Sequence, residues 1–195
     1  MIKTKQDLKF YLLCDKIALK IPSKRKYPRP VFDSIWTYEI ILRKTEYHKN
    51  NSGIIHNILY IFYRVRLEKL GTKLSINILP NVFGPGLSIA HYGGIIVNPY
   101  AKVGCNCRIH EGVTIGSTNG SNKAAEIGDN CFLGSGAKII GNIKIGNNIA
   151  VGAGAVVIKD INEDHVSVAG VPAKIISHNG SETNIIKATE IVRQE

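Results

Sequence analysis

The sequence predicts an all-β solenoid, a coil of short parallel strands preceded by a short α-helical region, and three observations predict it. Read every sixth residue from Val97 to Val157, ten of eleven positions are branched aliphatics: Val97, Val103, Ile109, Ile115, Ile127, Leu133, Ile139, Ile145, Val151 and Val157, with Ser121 the exception. The next residue is Gly at 104, 116, 128, 134, 146 and 152, and four places after the aliphatic stands a small or aliphatic residue such as Cys107, Val113, Ala137 or Ala155. Neither the helical period of 3.6 nor the strand period of 2 produces a six-residue rhythm, whereas one flat face of a three-sided coil does. Three such steps close a turn of about 18 residues, with the aliphatic pointing inward and the Gly at a corner where a side chain would collide. The stretch from Ile76 to Ile176 has room for about five to six turns at that length.

The helical region comes first. Residues 2–21 mix Leu8, Tyr11, Leu12, Ile17 and Leu19 with lysines, as an amphipathic helix does, and Pro22, Pro28 and Pro30 bracket a basic loop after it. Phe32 to Tyr47 reads as a second helix with Asp33 or Ser34 as its cap, and Ile54 to Leu70 as a third with Gly71 as its stop. The apolar run Ile54–Tyr63 is shorter than the ~20 residues that span a bilayer. Packing on the end of the solenoid is the simpler use for it, and lying in a membrane interface the sharper one. These features divide the chain into an α-helical region 1–72, a β-solenoid 73–176 and a polar tail 177–195 expected to fray around a short helix.

Two irregularities interrupt the rhythm. Phe83, Ile89 and Ile95 are six apart but two residues out of phase with Val97 onward, and Gly93-Gly94 lies beside the slip, as at a bulge or irregular corner. In the phase set by Ile89, His91 faces outward. The second is the polar stretch Ser117–Glu126, a protrusion whose length the phase leaves open because it occupies a multiple of six. Ala169–Lys174 ends the hexads, with Pro172 refusing a further sheet hydrogen bond.

Composition bounds the partners. Near-zero mean hydropathy and 44% apolar residues describe an ordinary globular chain. Four cysteines without an obvious leader suggest free thiols in a cytoplasmic protein, with Cys107 and Cys131 as small core residues. Cys105-Asn106-Cys107 has no second pair at zinc spacing, so no metal site is expected. The net charge of +10, much of it before residue 73, favours anionic partners. No nucleic-acid motif accompanies it, and contact with a membrane surface stays open. Among the six histidines, His91 stands out as the outward one at an irregularity.

The run Ala90-His91-Tyr92-Gly93-Gly94-Ile95-Ile96-Val97-Asn98 resembles the active-site segment of serine acetyltransferases, and more closely that of related O-acetyltransferases from bacterial polysaccharide clusters. Gly112–Gly116, Gly134–Ile143 and Ala169–Lys174 match in order and spacing, so the resemblance covers about residues 72–176. It implies a left-handed parallel β-helix of hexapeptide repeats, a homotrimer and acetyl-CoA in the groove between subunits. It also implies direct acetyl transfer to a hydroxyl, with His91 as general base. By the same resemblance Ser135 and Ala153 line the pantetheine arm, Gly116 and Ser117 flank the thioester, and Lys159 and Lys174 meet the phosphates. Ser135 and Ala153 are 18 residues apart, so the period independently stacks them.

Three departures bear on the acceptor. Serine acetyltransferases carry an aspartate before the active-site histidine, where this chain has Asn77-Ile78-Leu79-Pro80; Asn77 can accept a ring N–H but cannot neutralise an imidazolium, and Glu111 is the candidate substitute. The protruding loop reads Lys123-Ala124-Ala125-Glu126 and lacks the family's second histidine. The helical region is shorter than the family's. These departures favour a sugar hydroxyl in surface-polysaccharide synthesis over L-serine, the alternative acceptor; a non-catalytic scaffold is the reading of a different class.

Overall fold

The computed structural model describes residues 1–194. Helices α1 (Lys5–Ala18), α2 (Ser34–Lys49) and α3 (Ile54–Leu74) come first. The strands then form three sheets. The first contains β1 (Ile76–Asn77), β3 (Ile95–Val97), β6 (Thr114–Gly116), β9 (Lys138–Ile140) and β12 (Val156–Val157), in that order. The second contains β4 (Lys102–Val103), β7 (Glu126–Ile127) and β10 (Lys144–Ile145), extended at its two ends by bridges to Phe83 and Ile161. The third contains β2 (Ser88–Ile89), β5 (Arg108–Ile109), β8 (Phe132–Leu133), β11 (Ala150–Val151) and β13 (Ser167–Gly170), and the antiparallel β14 (Ala173–Ser177) closes it. All the other pairings are parallel. The chain visits the sheets in rotation, so each turn adds one strand to every face.

The inward residues are those the hexads name: Ile109, Ile115, Leu133, Ile139 and Val151 are all fully buried. Register explains the two irregularities. Ile96 pairs with Thr114, a step of 18 residues, but Ser88 pairs with Arg108, a step of 20, so the two extra residues fall in the His91–Gly94 corner. Lys102 pairs with Glu126, a step of 24, so the polar insertion adds six residues to one turn. Its outer part protrudes through Lys123, while Ala124 and Ala125 are already back in the core.

Several expectations are corrected. Asp33 stands at the α2 N-cap without a capping hydrogen bond, because its carboxylate is taken by the Arg29 backbone N–H at 2.7 Å and by the Arg25 and Arg29 guanidinium groups. Gly71 does not stop α3. It lies inside the helix, where a Cβ would come within 2.6 Å of the Ile76 carbonyl oxygen, and Ser75 in the left-handed region ends the helix. Most of the apolar run Ile54–Tyr63 is not packed on the strands: Ile54, Ile55, Ile58, Ile61 and Phe62 are exposed, Tyr63 alone of the run packs against the core, and the buried residues of α3 are Leu67, Gly71 and Leu74. The parallel hexads do end at Ala169–Lys174 and Pro172 itself is unpaired, but the sheet goes on, because the chain reverses there and β14 pairs antiparallel on β13.

Nor is the tail frayed. Asn106, Asn130 and Asn148 occupy one corner of successive turns, all with positive φ, and their amides hydrogen-bond in a ladder at 2.8 and 3.1 Å. The tail runs back along it. The Ser181 hydroxyl donates to the Asn130 carbonyl, and Thr189 exchanges two hydrogen bonds with the Asn106 side chain. α4 (Ala188–Gln194) then seats Ala188 against Cys14 and Ala18 of α1.

A buried charge network joins the helices to the first turn. Arg43, fully buried, pairs with Asp15 and Glu46 and also donates to the Phe83 and Gly84 carbonyls. Glu39 Oε1 accepts the Ile89 backbone N–H at 3.0 Å, just before the His91 corner, and its Oε2 has no partner among the described residues. Burial, reinforced by the Asp15 charge, pushes the Glu39 carboxyl well above the usual carboxylate range. The folded state therefore keeps a proton that the unfolded chain releases above its ordinary pKa, so this group's contribution falls as pH rises from that range toward the folded pKa. Glu39→Gln is expected to flatten that slope and to raise the urea midpoint relative to the parent at the alkaline end of a series between about pH 5 and about pH 9. A slope identical to the parent's would mean that Glu39 is ionised in the fold.

Candidate active site

The third sheet delivers the chain to one corner and the first sheet takes it away. At that corner Gly94, Gly112, Gly136 and Gly154 form a column, each with φ between 64° and 73°. The hydrogen bonds Gly112 N–H to Gly93 O, Gly136 N–H to Glu111 O and Gly154 N–H to Ser135 O link successive turns there. Gly adopts this φ with the least strain, and a Cβ on Gly112 would also press to 3.2 Å from the Gly136 Cα. Immediately before the glycines, Glu111, Ser135 and Ala153 stack in one file, as the 18-residue spacing of the last two requires.

His91 is exposed at the head of this file, on the turn carrying the two extra residues. The expected outward orientation is what the structure has. One turn on, the His110 ring lies edge-on to it with centroids 5.7 Å apart, and His110 rests in turn on Phe132 at 5.1 Å. Ring nitrogens of His91 and His110 and a Glu111 carboxylate oxygen all lie within 4.8 Å of one another. The sequence names His91 and Glu111 as site candidates and marks His110 only as a corner residue beside inward Ile109. Its signal was visible: a His-Glu pair follows inward Ile109 where the rhythm usually places Gly.

The surroundings fix the state of His110. Arg108 Nε can only donate, and it faces His110 Nε2 at 3.4 Å. A neutral His110 ring therefore carries its proton on Nδ1, which lies 3.4 Å from the Ser135 hydroxyl and 3.8 Å from Glu111 Oε2. Burial, then the Arg108 charge, pulls the His110 pKa below the usual histidine range, and neutrality follows. The nearby Ser135 hydroxyl holds the Glu111 carboxyl below the usual carboxylate range, although Glu111 Oε2 has no hydrogen-bond partner among the described residues. The cluster thus offers an exposed imidazole beside a fixed negative charge. The same three groups could ligate a divalent ion, although 3.8 Å between two of them exceeds the ~3.4 Å separating ligands on tetrahedral zinc.

The other candidates fall in different places. Asn77 is exposed on β1 and lines a separate cavity of about 280 Å³ with Arg64, Glu68 and Ile96; no hydrogen bond joins it to His91. Gly116 ends β6 at the opposite corner of the first sheet, where a Cβ would lie 3.1 Å from Ile140 Cδ1, and Ser117 next to it accepts a hydrogen bond from Asn98 Nδ2 at 3.0 Å. Lys159 follows β12 at that same corner, exposed, and Lys174 is exposed on β14. The candidate co-substrate residues therefore flank the first sheet on both edges, with His91 and Glu111 on the Ser135 side.

The pattern of the bacterial transferase hexapeptide family (six repeats) matches residues 124–159. Serine acetyltransferase of Staphylococcus epidermidis is 33% identical over 153 residues, 74% of this chain and 71% of that protein. The chain belongs to the serine acetyltransferase family. Serine acetyltransferase of Synechococcus elongatus is also 33% identical, over 138 residues, and there the match spans 65% of this chain but only 56% of the relative. Among solved structures, serine acetyltransferase of Brucella abortus in complex with coenzyme A aligns with 90% of this chain and 68% of its own, at a TM-score of 0.64 and 28% identity. These members of the serine acetyltransferase family lend the polysaccharide-cluster likeness no support; their names fit the alternative acceptor, L-serine, better than a sugar.

Proposed function

We propose that this acyltransferase is an acetyl-CoA-dependent O-acetyltransferase in which His91 is the general base. One observation carries the reading: an exposed imidazole stands beside a charged Glu111 at the head of the Glu111–Ser135–Ala153 file. His91 takes the proton of the acceptor hydroxyl as its oxygen attacks the thioester carbonyl. The tetrahedral intermediate collapses by breaking the carbon–sulfur bond, and the imidazolium returns the proton to the departing thiolate. Glu111 stabilises the imidazolium between the two steps, as the family's aspartate would, while Asn77 makes no such contact within the chain.

Acetyl-CoA is the co-substrate, a reading supported by the coenzyme A complex of the Brucella abortus relative. Its pantetheine arm follows the Ser135–Ala153 file, with Gly116 and Ser117 near the thioester and Lys159 and Lys174 toward the phosphates. The three sheets form the left-handed coil of the family, and three copies assemble so that the co-substrate lies between neighbours.

L-Serine is the acceptor that the relatives' names support. A sugar hydroxyl is the second reading, favoured by two specific features: Asn77 stands where the serine enzymes have a carboxylate, and the Lys123–Glu126 stretch lacks their second histidine. Thiol release from acetyl-CoA, measured with L-serine and with a panel of glycans and nucleotide sugars, separates them. Turnover of serine at least about tenfold above any sugar, the ~1.4 kcal/mol that a missing recognition contact costs, fits the first reading and the reverse fits the second. No release with any acceptor leaves the chain a scaffold.

A further inference from the structure

We infer that the helical region is a docking surface for an anionic lipid membrane. Residues 1–73 hold sixteen Lys and Arg against six Asp and Glu, and residues 74–195 hold nine of each. The entire net positive charge therefore sits on residues 1–73, helices and loops together, and the rest of the chain is balanced. Within that region the helices enclose a groove of about 570 Å³ whose walls carry Lys9, Lys16, Lys26, Lys44 and Arg66 and no carboxylate. Its floor is apolar, built from Trp36, Ile40, Ile41 and Tyr63. Five cations around an apolar floor suit a phosphorylated, lipid-borne headgroup.

The groove continues into an uncovered apolar stripe. Ile54, Ile55, Ile58, Ile61, Phe62 and Val65 recur at helical spacing along one side of α3 and are 48–79% exposed. Arg66 of the groove lies over the Phe62 ring at 5.5 Å and Lys44 over Tyr63 at 5.4 Å, so cations and apolar surface are one patch. In the loop between α1 and α2, Arg29, paired with Asp33, also lies over the exposed Phe32 ring at 5.6 Å. Long cationic side chains lying across aromatic rings, next to an exposed aliphatic row, make an interfacial surface: the row enters the acyl boundary and the cations meet phosphates. Among the described residues no helix is long and apolar enough to cross a bilayer, so the contact is with the surface. A second copy is the other candidate occupant, but pairing stripe on stripe would bring two regions of net charge +10 together. Charge complementarity favours the membrane. The inference does not depend on which hydroxyl is acetylated.

Flotation of the full chain with vesicles tests it. The chain is expected to float with phosphatidylglycerol–phosphatidylcholine vesicles, to stay behind with phosphatidylcholine alone, and to lose binding as salt is raised. Lys9→Gln/Lys26→Gln/Arg66→Gln is expected to lower partitioning roughly a hundredfold, about fivefold per charge. Ile58→Ser/Phe62→Ser is expected to weaken it independently. Melting temperature and thiol release with a soluble acceptor, unchanged in both variants, show that each is folded. Equal binding to both vesicle types, or none to either, overturns the inference. So does loss of vesicle binding on adding inorganic phosphate at unchanged ionic strength, which would make the groove a site for a soluble anion. A halving of the native mass by Ile58→Ser/Phe62→Ser with vesicle binding intact would make the stripe a contact between copies and would equally overturn it.

Discussion

His91→Ala is expected to lower acetyl-CoA turnover by about two to four orders of magnitude, the usual contribution of a positioned general base. The loss should fall on kcat. His91 is exposed and bears no hydrogen bond on which the corner depends, since the Gly93–Gly112 backbone bond and the glycine column hold that turn. The melting temperature and the KM for acetyl-CoA should therefore stay near the parent's, because the Ser135–Ala153 file is untouched. Glu111→Gln keeps the shape of the cluster and removes its charge. A smaller fall in kcat is expected, again with KM for acetyl-CoA preserved, because the imidazolium loses its counter-charge but the base remains. Steady-state kinetics of both variants with the acceptor that turns over best is the measurement. Parent-like kcat in His91→Ala would remove His91 from the chemistry altogether.

The largest effect on stability is expected from Arg43→Met. Every N–H of this guanidinium is committed: Nε and Nη2 to the two Asp15 oxygens at 2.7 and 3.3 Å, Nη1 to Glu46 and to Phe83 O, and Nη2 also to Gly84 O at 2.7 Å. Asp15 Oδ1 in turn accepts the backbone N–H groups of Gly86 and Leu87. A methionine fills the volume but leaves two buried carboxylates without a cation. Breaking a buried pair from one side costs about 3–5 kcal/mol, and at 2–4 °C per kcal/mol for a chain of this size the melting temperature should fall by roughly 10–15 °C. Asp15→Asn/Arg43→Met should cost less than the sum of the two single changes, because the second substitution removes a charge that the first has stranded. Strict additivity in urea melts would mean that the network is solvent-screened and worth little.

The rotation of short parallel strands through three sheets was legible because its signal is a phase carried over many successive hexads, and a phase survives individual exceptions such as Ser121. The two-residue slip was legible for the same reason, and it located His91 on the outside. What lay beyond reach were contacts between residues that the period does not relate. His110 and Glu111 meet His91 because a 20-residue step, not an 18-residue one, separates those turns; the sequence places the slip beside Gly93-Gly94 but not which side chains of the next turn it brings to His91. Arg43, Asp15, Glu39 and Glu46 read as the polar faces of amphipathic helices; their burial depends on how α1 and α2 meet the first turn. Gly71 carried the right residue type for a helix stop, but a glycine that admits a neighbouring backbone looks the same in one dimension as a glycine that ends a helix. Asn106, Asn130 and Asn148 recur at steps of 24 and 18, matching the turns, but a polar residue at a corner carries no burial signal of the kind the inward aliphatics carry. The polar look of residues 177–194 concealed both their bonds to backbone carbonyls and asparagine amides and the small apolar seat of Ala188 on Cys14 and Ala18.

The returning tail makes the molecule its own gauge. It leaves the last turn, passes Asn148 and Asn130, and must reach Asn106 and α1 with the residues it has. Each further turn would lengthen the path by one strand spacing of about 4.8 Å, and each missing turn would leave slack to be looped out. A repeat can in principle be copied without limit, since every turn buries the same kind of core. Here the strand count is read out at the far end by whether Thr189 meets its amide and Ala188 meets Cys14, so the number of turns is set by a segment that lies outside the repeat.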